Sequence, residues 1–292
     1  MNWTDLNHEV KQTLVSPKIN AKFLHSEHLT SQLSLGQGYR PPLTLFESEH
    51  GSDHDGFVIE IDEIEKADSA IYSLSLNHPT WFLTGTYHHT RLRNMAFAED
   101  HVLKGMPLVF KNSDDIYDIN VFDIFAGIEV LEKFRVQASY EYFQYEDSYT
   151  KKLPAAAIEQ RFVIDTDVDL NPLDLGLQLT WIGPRDLKRY GYDEHYKKYD
   201  LEVTSASFGQ VSEPKNLNAP AFWYANFHSK VDVTKNYALV LRVNNVFDFT
   251  QTGDGDSPTT WHYHVNHAHF DNFHTWGPLT GREYFAGVEG HW

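Results

Sequence analysis

Between Arg161 and Leu170 the chain alternates: Phe162, Ile164, Thr166, Val168 and Leu170 form one alternate set, and Arg161, Asp165, Asp167 and Asp169 belong to the other. A period of two is the mark of an extended strand with one dry face and one wet face. The next stretch opposes Leu175, Leu177, Leu179 and Trp181 to Asp174, Gln178 and Thr180. Similar faces recur in Phe134, Val136, Ala138, Tyr140 and Tyr142 against Arg135, Gln137, Ser139 and Glu141, and in Leu239, Leu241 and Val243 against Arg242 and Asn244. The chain ends the same way, with Tyr284, Ala286, Val288, Gly290 and Trp292 against Glu283, Glu289 and His291. Reading the whole chain by this rule predicts eleven strands, at 12–24, 30–40, 66–77, 82–95, 116–130, 134–146, 156–169, 174–185, 221–232, 237–248 and 281–292. The fold class is therefore all-β. Alternation alone suits a soluble sandwich as well as a membrane barrel.

The connections separate those two. Short ones (26–30, 77–81, 131–133, 171–173, 234–236) alternate with long, acidic, aromatic ones (41–65, 96–115, 147–155, 186–220, 249–280). An antiparallel transmembrane β-barrel has tight periplasmic turns on one rim and long extracellular loops on the other, whereas Greek-key crossings have no reason to sort them. Aromatics gather near the long-loop ends, at Tyr39, Tyr87, Tyr140, Tyr142, Tyr145, Trp181, Tyr190, Phe222, Trp223, Tyr224, Phe247 and Phe249. That placement fits an interfacial girdle.

Composition narrows the partners. The 292 residues have a mean hydropathy of -0.47. They contain no apolar run near the roughly 18 residues a membrane helix needs. A net charge of -17 argues against nucleic acid, whose phosphates would be repelled. Cysteine is absent, so there is neither a disulfide nor a thiolate metal site. The first residues, MNWTDLNHEVKQTLVSP, do not form a secretory signal.

Three stretches together resemble the barrel of TonB-dependent outer-membrane receptors. They are LSLGQGYRPPLTLFESEHG (33–51), ALVLRVNNVFDFTQ (238–251) and GPLTGREYFAGVEGHW (277–292). The first carries Gly36, Gly38, Tyr39, Arg40, Pro41, Pro42 and Glu47. The second carries Val243, Asn244, Asn245, Val246, Phe247 and Asp248, and the third Gly281, Arg282 and a terminal Trp292. The resemblance implies a 22-stranded barrel whose plug, signal peptide, TonB-contacting box and first strands precede this chain, which would be the C-terminal half. Strand parity agrees: with eleven alternating strands the first and last run in parallel, and an antiparallel barrel cannot close on that seam. On this reading residues 1–292 are one receptor-like barrel segment in the outer membrane of a Gram-negative cell. Its implied function is energy-dependent uptake of a scarce ligand such as a siderophore, a metal chelate or another nutrient. The implied partners are outer-membrane lipid, the extracellular ligand and, through the missing N-terminal part, the TonB energy-transducing complex. The rival is a self-contained porin or outer-membrane enzyme of about twelve strands; a soluble β protein is a third reading.

Candidate chemistry is concentrated in WHYHVNHAHFDNFH (261–274). In an extended run, spacing of two puts His262 with His264, and His267 with His269, on common faces, where neutral imidazoles can hold Zn²⁺ or Cu²⁺. Asp271 and His274 follow. The alternative is a polar aromatic loop that holds no metal. GDGDSP (253–258) starts like a calcium loop but has no glutamate at the twelfth position, so it reads as a turn. ESEHGSDHD (47–55) reads as a solvated loop. Asp53 and His54 come with no nucleophile, and Gly36 and Gly38 lack the third glycine and following helix of a dinucleotide site. Neither catalytic residues nor a bound organic cofactor is expected, and the chain is not expected to be an enzyme.

Overall fold

A computed structural model describes residues 13–40, 57–99, 108–130, 133–153, 156–190, 218–251, 261–264, 267–270 and 276–290. Eleven strands form one sheet: β1 (Lys18–Leu24), β2 (Leu29–Arg40), β3 (Glu65–His78), β4 (Trp81–Arg93), β5 (Tyr117–Val130), β6 (Phe134–Tyr145), β7 (Gln160–Asp169), β8 (Leu173–Ile182), β9 (Phe222–Asp232), β10 (Tyr237–Asn244) and β11 (Glu283–Gly290). Each pairs with its neighbours in sequence order. Among the described residues, β1 and β11 are each paired along one side only. All eleven predicted strands are therefore present, most with one end shortened, while Glu65–His78 extends one residue beyond the predicted 66–77 at each end. No described helix is long and apolar enough to cross a membrane.

The shortened ends have local causes. The first strand starts at Lys18 rather than residue 12 because Pro17 has no N–H for the ladder; its carbonyl accepts from Gln37 N at 3.0 Å and pairing stops there. At β10 the chain turns at Asn245 (φ 51°) and again at Asp248 (φ 58°), so the strand ends at Asn244 rather than 248. Ahead of β7, the Ala156 and Ala157 carbonyls accept from the side chains of Arg185 and Tyr190 rather than from a neighbouring strand.

Two compact units divide the chain. The first comprises Met1–His25, Thr30–Ser73 and Tyr87–Asn120. It contains a small sheet, unforeseen in the sequence, in which Phe57–Glu60 runs parallel to Leu108–Asn112, and Ala96–Glu99 antiparallel to it. Its core is Ile61, Ala96 and Phe110. Asn112 ties the small sheet to the turn before β3, accepting from Asp62 N and Glu63 N and donating to the Glu63 and Asn94 carbonyls. Glu65 is buried, accepting from Arg40 Nε at 2.5 Å and Ala96 N at 3.0 Å.

The second unit, Ser26–Leu29, Leu74–Thr86 and Val121–Trp292, holds the sheet from β6 to β11. Register sorts it into rows. Val136, Thr166, Leu177, Phe227, Val243 and Tyr284 lie directly opposite one another; so do Ala138, Ile164, Leu179 and Ala225. Between these rows runs Gln137–Asp165–Gln178–Asn226, and on the far side of the Thr166 row runs Arg135–Asp167–Gly176–His228–Arg242. Opposed residues share a face, so one face is predominantly apolar, with Thr166 and Ser229 as exceptions, and the other predominantly polar, with Val163 and Val240 as exceptions. The apolar face is half-buried along β7 and β8 and most open at β10 and β11, with Val288 at 69%, Leu239 at 53% and Leu241 at 42%. The buried apolar cluster of this unit is Ala156, Ile182, Leu187, Tyr190, Ala219, Phe222 and Trp276, at the long-connection end.

Candidate functional site

The polar face has internal order. Gln178 Nε2 donates to Asp165 at 2.9 Å, Asn226 Nδ2 to Gln178 at 3.3 Å, and Asn226 Oδ1 accepts from Asn245 N at 3.1 Å. Arg161 is ion-paired to Glu141 in the row nearest the long connections. Lys230 bridges to Glu289 at 2.8 Å. Gly176 is needed here: a Cβ on it would lie 2.0 Å from His228 Cε1, so the imidazole occupies the space a side chain would fill. Asp165, Gln178, Asn226, His228, Lys230 and Arg242 line a shallow concavity of about 380 Å³. This wall carries both charge signs, and its Asp165, Gln178 and Asn226 side chains are joined by hydrogen bonds.

Above that wall, the long connections begin from a built base. Tyr190 and Arg189, in a 3₁₀ turn (Leu187–Tyr190), clamp Glu159: Arg189 Nη1 donates at 2.7 Å and the Tyr190 hydroxyl at 2.9 Å. Burial, followed by the Glu159 carboxylate, pushes the Tyr190 hydroxyl far above its ordinary range, so it stays a donor. Arg189 also reaches Asp147 in the short helix α1 (Asp147–Thr150), and Thr150 Oγ1 donates to the Arg189 carbonyl at 2.7 Å. Buried Arg185 donates to the carbonyls of Ala156 and Trp276, joining two connections far apart in sequence. Phe222 stacks on Phe249 with ring centroids 4.5 Å apart.

Of the predicted girdle, Tyr140 belongs with Phe162, Trp181 and Trp223 to one outward row, and Tyr142 stacks on Phe122. Tyr190, Phe222 and Phe249 instead pack into or against the buried cluster. The predicted histidines fall in a hairpin, Trp261–His264 with His267–Phe270, whose register opposes His262 to His269 and His264 to His267. Residues 47–55, 253–258, Asp271 and His274 lie outside the described residues. Sequence reasoning missed the Arg185 and Glu159 anchors, because their partners lie 29 or more residues away.

Two of the motifs meet. Asn245 Nδ2 donates to the carbonyls of Phe249 (2.7 Å) and Thr280 (3.3 Å), while its Oδ1 accepts from Phe249 N at 3.1 Å. Asp248 accepts from Arg282 N at 2.7 Å, and a Cβ on Gly281 would lie 2.5 Å from that carboxylate oxygen. The NNVFD and GR stretches are thus one interlocked turn. In the remaining motif, Tyr39 donates to Gln37 and to the Val15 carbonyl, while Gly36 and Gly38 have ordinary room around them.

No protein-family model matches the chain, and no curated protein matches it. Solved structures do. The ferric enterobactin receptor PfeA from Pseudomonas aeruginosa superposes with a TM-score of 0.62 at 12% identity, over 94% of this chain and 40% of its own. The chain has the fold of the TonB-dependent receptor barrel. The copper transporter OprC (TM-score 0.59, 12% identity, 95% of this chain and 40% of its own) is another such structure. So is the FrpB iron transporter from Neisseria meningitidis (0.57, 15%, 94% and 38%). These neighbours are receptors and transporters, not enzymes. The chain thus spans about 40% of the length of the receptor-barrel structures it matches.

Proposed function

We propose that this chain is the C-terminal part of an outer-membrane receptor that takes up a scarce ligand, such as a siderophore or metal chelate, with energy supplied through TonB. The observation that carries the reading is the row order of β6 to β11. An apolar face exposed over so many strands is unfavourable in water and favourable against lipid, and the opposite polar face then lines the path of the solute. Dimensions agree. Phe134 and Tyr142 lie eight residues apart on the outward face of β6; at about 3.4 Å per residue and a tilt near 40° they are roughly 20 Å apart in height, close to an outer-membrane apolar band. Along β4 the alternate set runs Trp81, Leu83, Gly85, Tyr87, His89, Arg91 and Arg93, turning from apolar to charged at Tyr87. Beyond Tyr87, Arg91 is bidentate to Asp118 and Arg93 pairs with Asp68, an arrangement suited to water outside the lipid edge.

The plug and the remaining strands would come from the part of the protein preceding this chain, and the ligand would be met by the long connections. The named ligands of the structural neighbours, ferric enterobactin and copper, support iron chelates and metals as the first ligands to try. The test is accumulation of labelled ferric siderophores and metal chelates in Gram-negative cells carrying the complete gene, with and without TonB. Uptake that needs both the gene and TonB is expected. Uptake that proceeds without TonB would replace this reading with a passive porin.

A further inference from the structure

We propose that the hairpin of Trp261–His264 and His267–Phe270 binds one divalent cation of the Zn²⁺ or Cu²⁺ class through His262, His264, His267 and His269. From spacing alone the four histidines form two unrelated pairs. The backbone joins them: His262 is opposite His269 and His264 opposite His267. Residues opposed across an antiparallel ladder share a face, as do residues two apart on one strand. All four positions therefore belong to one face of the hairpin. Trp261, Tyr263, Ala268 and Phe270, paired as Trp261–Phe270 and Tyr263–Ala268, belong to the other. A slip of one residue in register would have split the histidines between faces.

The four positions form a patch of roughly 5 by 7 Å. That is the scale on which several imidazoles can share a cation at a metal–nitrogen distance of about 2.0–2.1 Å. The donor set selects the metal. Imidazole suits borderline d-block cations, whereas Ca²⁺ and Mg²⁺ require oxygen donors, and a chain with no cysteine offers no competing thiolate. The site rests on hairpin register and does not depend on the transport reading, so its test contains no uptake step.

The experiment is calorimetric titration of the protein in detergent micelles with Zn²⁺ at pH 7.5 and 5.5. A single-site isotherm is expected at pH 7.5, lost at pH 5.5, about one unit below the ordinary histidine value of about 6.5, because only the neutral ring is a ligand. His262→Ala with His269→Ala should weaken binding by at least about tenfold. Tyr263→Ala, on the opposite face, should leave it unchanged and shows that disturbing the hairpin is not by itself the cause. Electron paramagnetic resonance of the Cu²⁺-loaded protein should show hyperfine coupling to several imidazole nitrogens, a signal no carboxylate site gives. Absence of binding at pH 7.5, equal binding by the histidine double variant, or binding that persists at pH 5.5 and so belongs to carboxylates would each overturn the site.

Discussion

Ile164→Arg is expected to destabilise the complete receptor in lipid by about 2–4 kcal/mol, the cost of an arginine near the middle of a lipid-facing strand. Ile164 is centrally placed on the apolar face, with Ala138 and Leu179 directly opposite. The neighbouring change, Asp165→Arg, should cost less than about 1 kcal/mol. It removes one hydrogen bond, from Gln178, in a row of polar side chains. Denaturant titration of both variants folded into vesicles provides the comparison. The contrast matters more than either value, because the two residues are adjacent and differ in which face they occupy. Equal costs would mean that neither face meets lipid.

The second large effect is expected at Asn245. Its side chain makes three hydrogen bonds at the mouth of the turn after β10, it is nearly buried, and its φ is 51°. Asn245→Ala strands the Phe249 N–H and two carbonyls, and puts a residue with no local polar side chain in the left-handed region. A loss on the order of 3 kcal/mol follows from these two terms together. Asn245→Gly removes the same hydrogen bonds but relaxes the backbone, so it should recover part of that loss. Asn244→Ala should cost under about 0.5 kcal/mol, since among the described residues the Asn244 side chain makes one long, exposed hydrogen bond, to Glu283. Thermal or denaturant unfolding of the three variants checks the order. If Asn244→Ala were the worst of them, the turn would not be what that motif encodes.

Legibility from sequence followed the range of the interactions. The eleven strands could be read because each carries its own period-two record, and the tight turns because they are local. Strand ends were read less well where the deciding partner was distant or conformational, as at Pro17, whose carbonyl answers Gln37, and at Asn245, whose positive φ ends β10. The small sheet of 57–60, 96–99 and 108–112 left no signal, since strands of four or five residues inside polar connections are too short to show a period. The anchors Arg185 and Glu159 read as ordinary charges until Trp276, Arg189 and Tyr190 were brought to them by the fold. For the histidines, spacing supplied the pairs, and only register showed that the pairs share a face. Two of the three motifs behind the family resemblance, NNVFD and GR, proved to be turn chemistry, which explains how they mark the barrel without indicating a ligand.

The most direct test is water access along β7. This chain has no cysteine, so single cysteines at 161–168 report without background from its own residues, and the receptor without an introduced cysteine serves as the blank. In the receptor in lipid vesicles or intact outer membrane, a membrane-impermeant thiol reagent should label positions 161, 163, 165 and 167, and spare 162, 164, 166 and 168. Val163 and Thr166 decide the matter, because there the chemistry of the side chain and the face assigned by register disagree. Val163→Cys labelled and Thr166→Cys protected is the predicted result; the reverse, or labelling of both faces alike, would contradict a lipid-facing and a solute-facing side of this sheet.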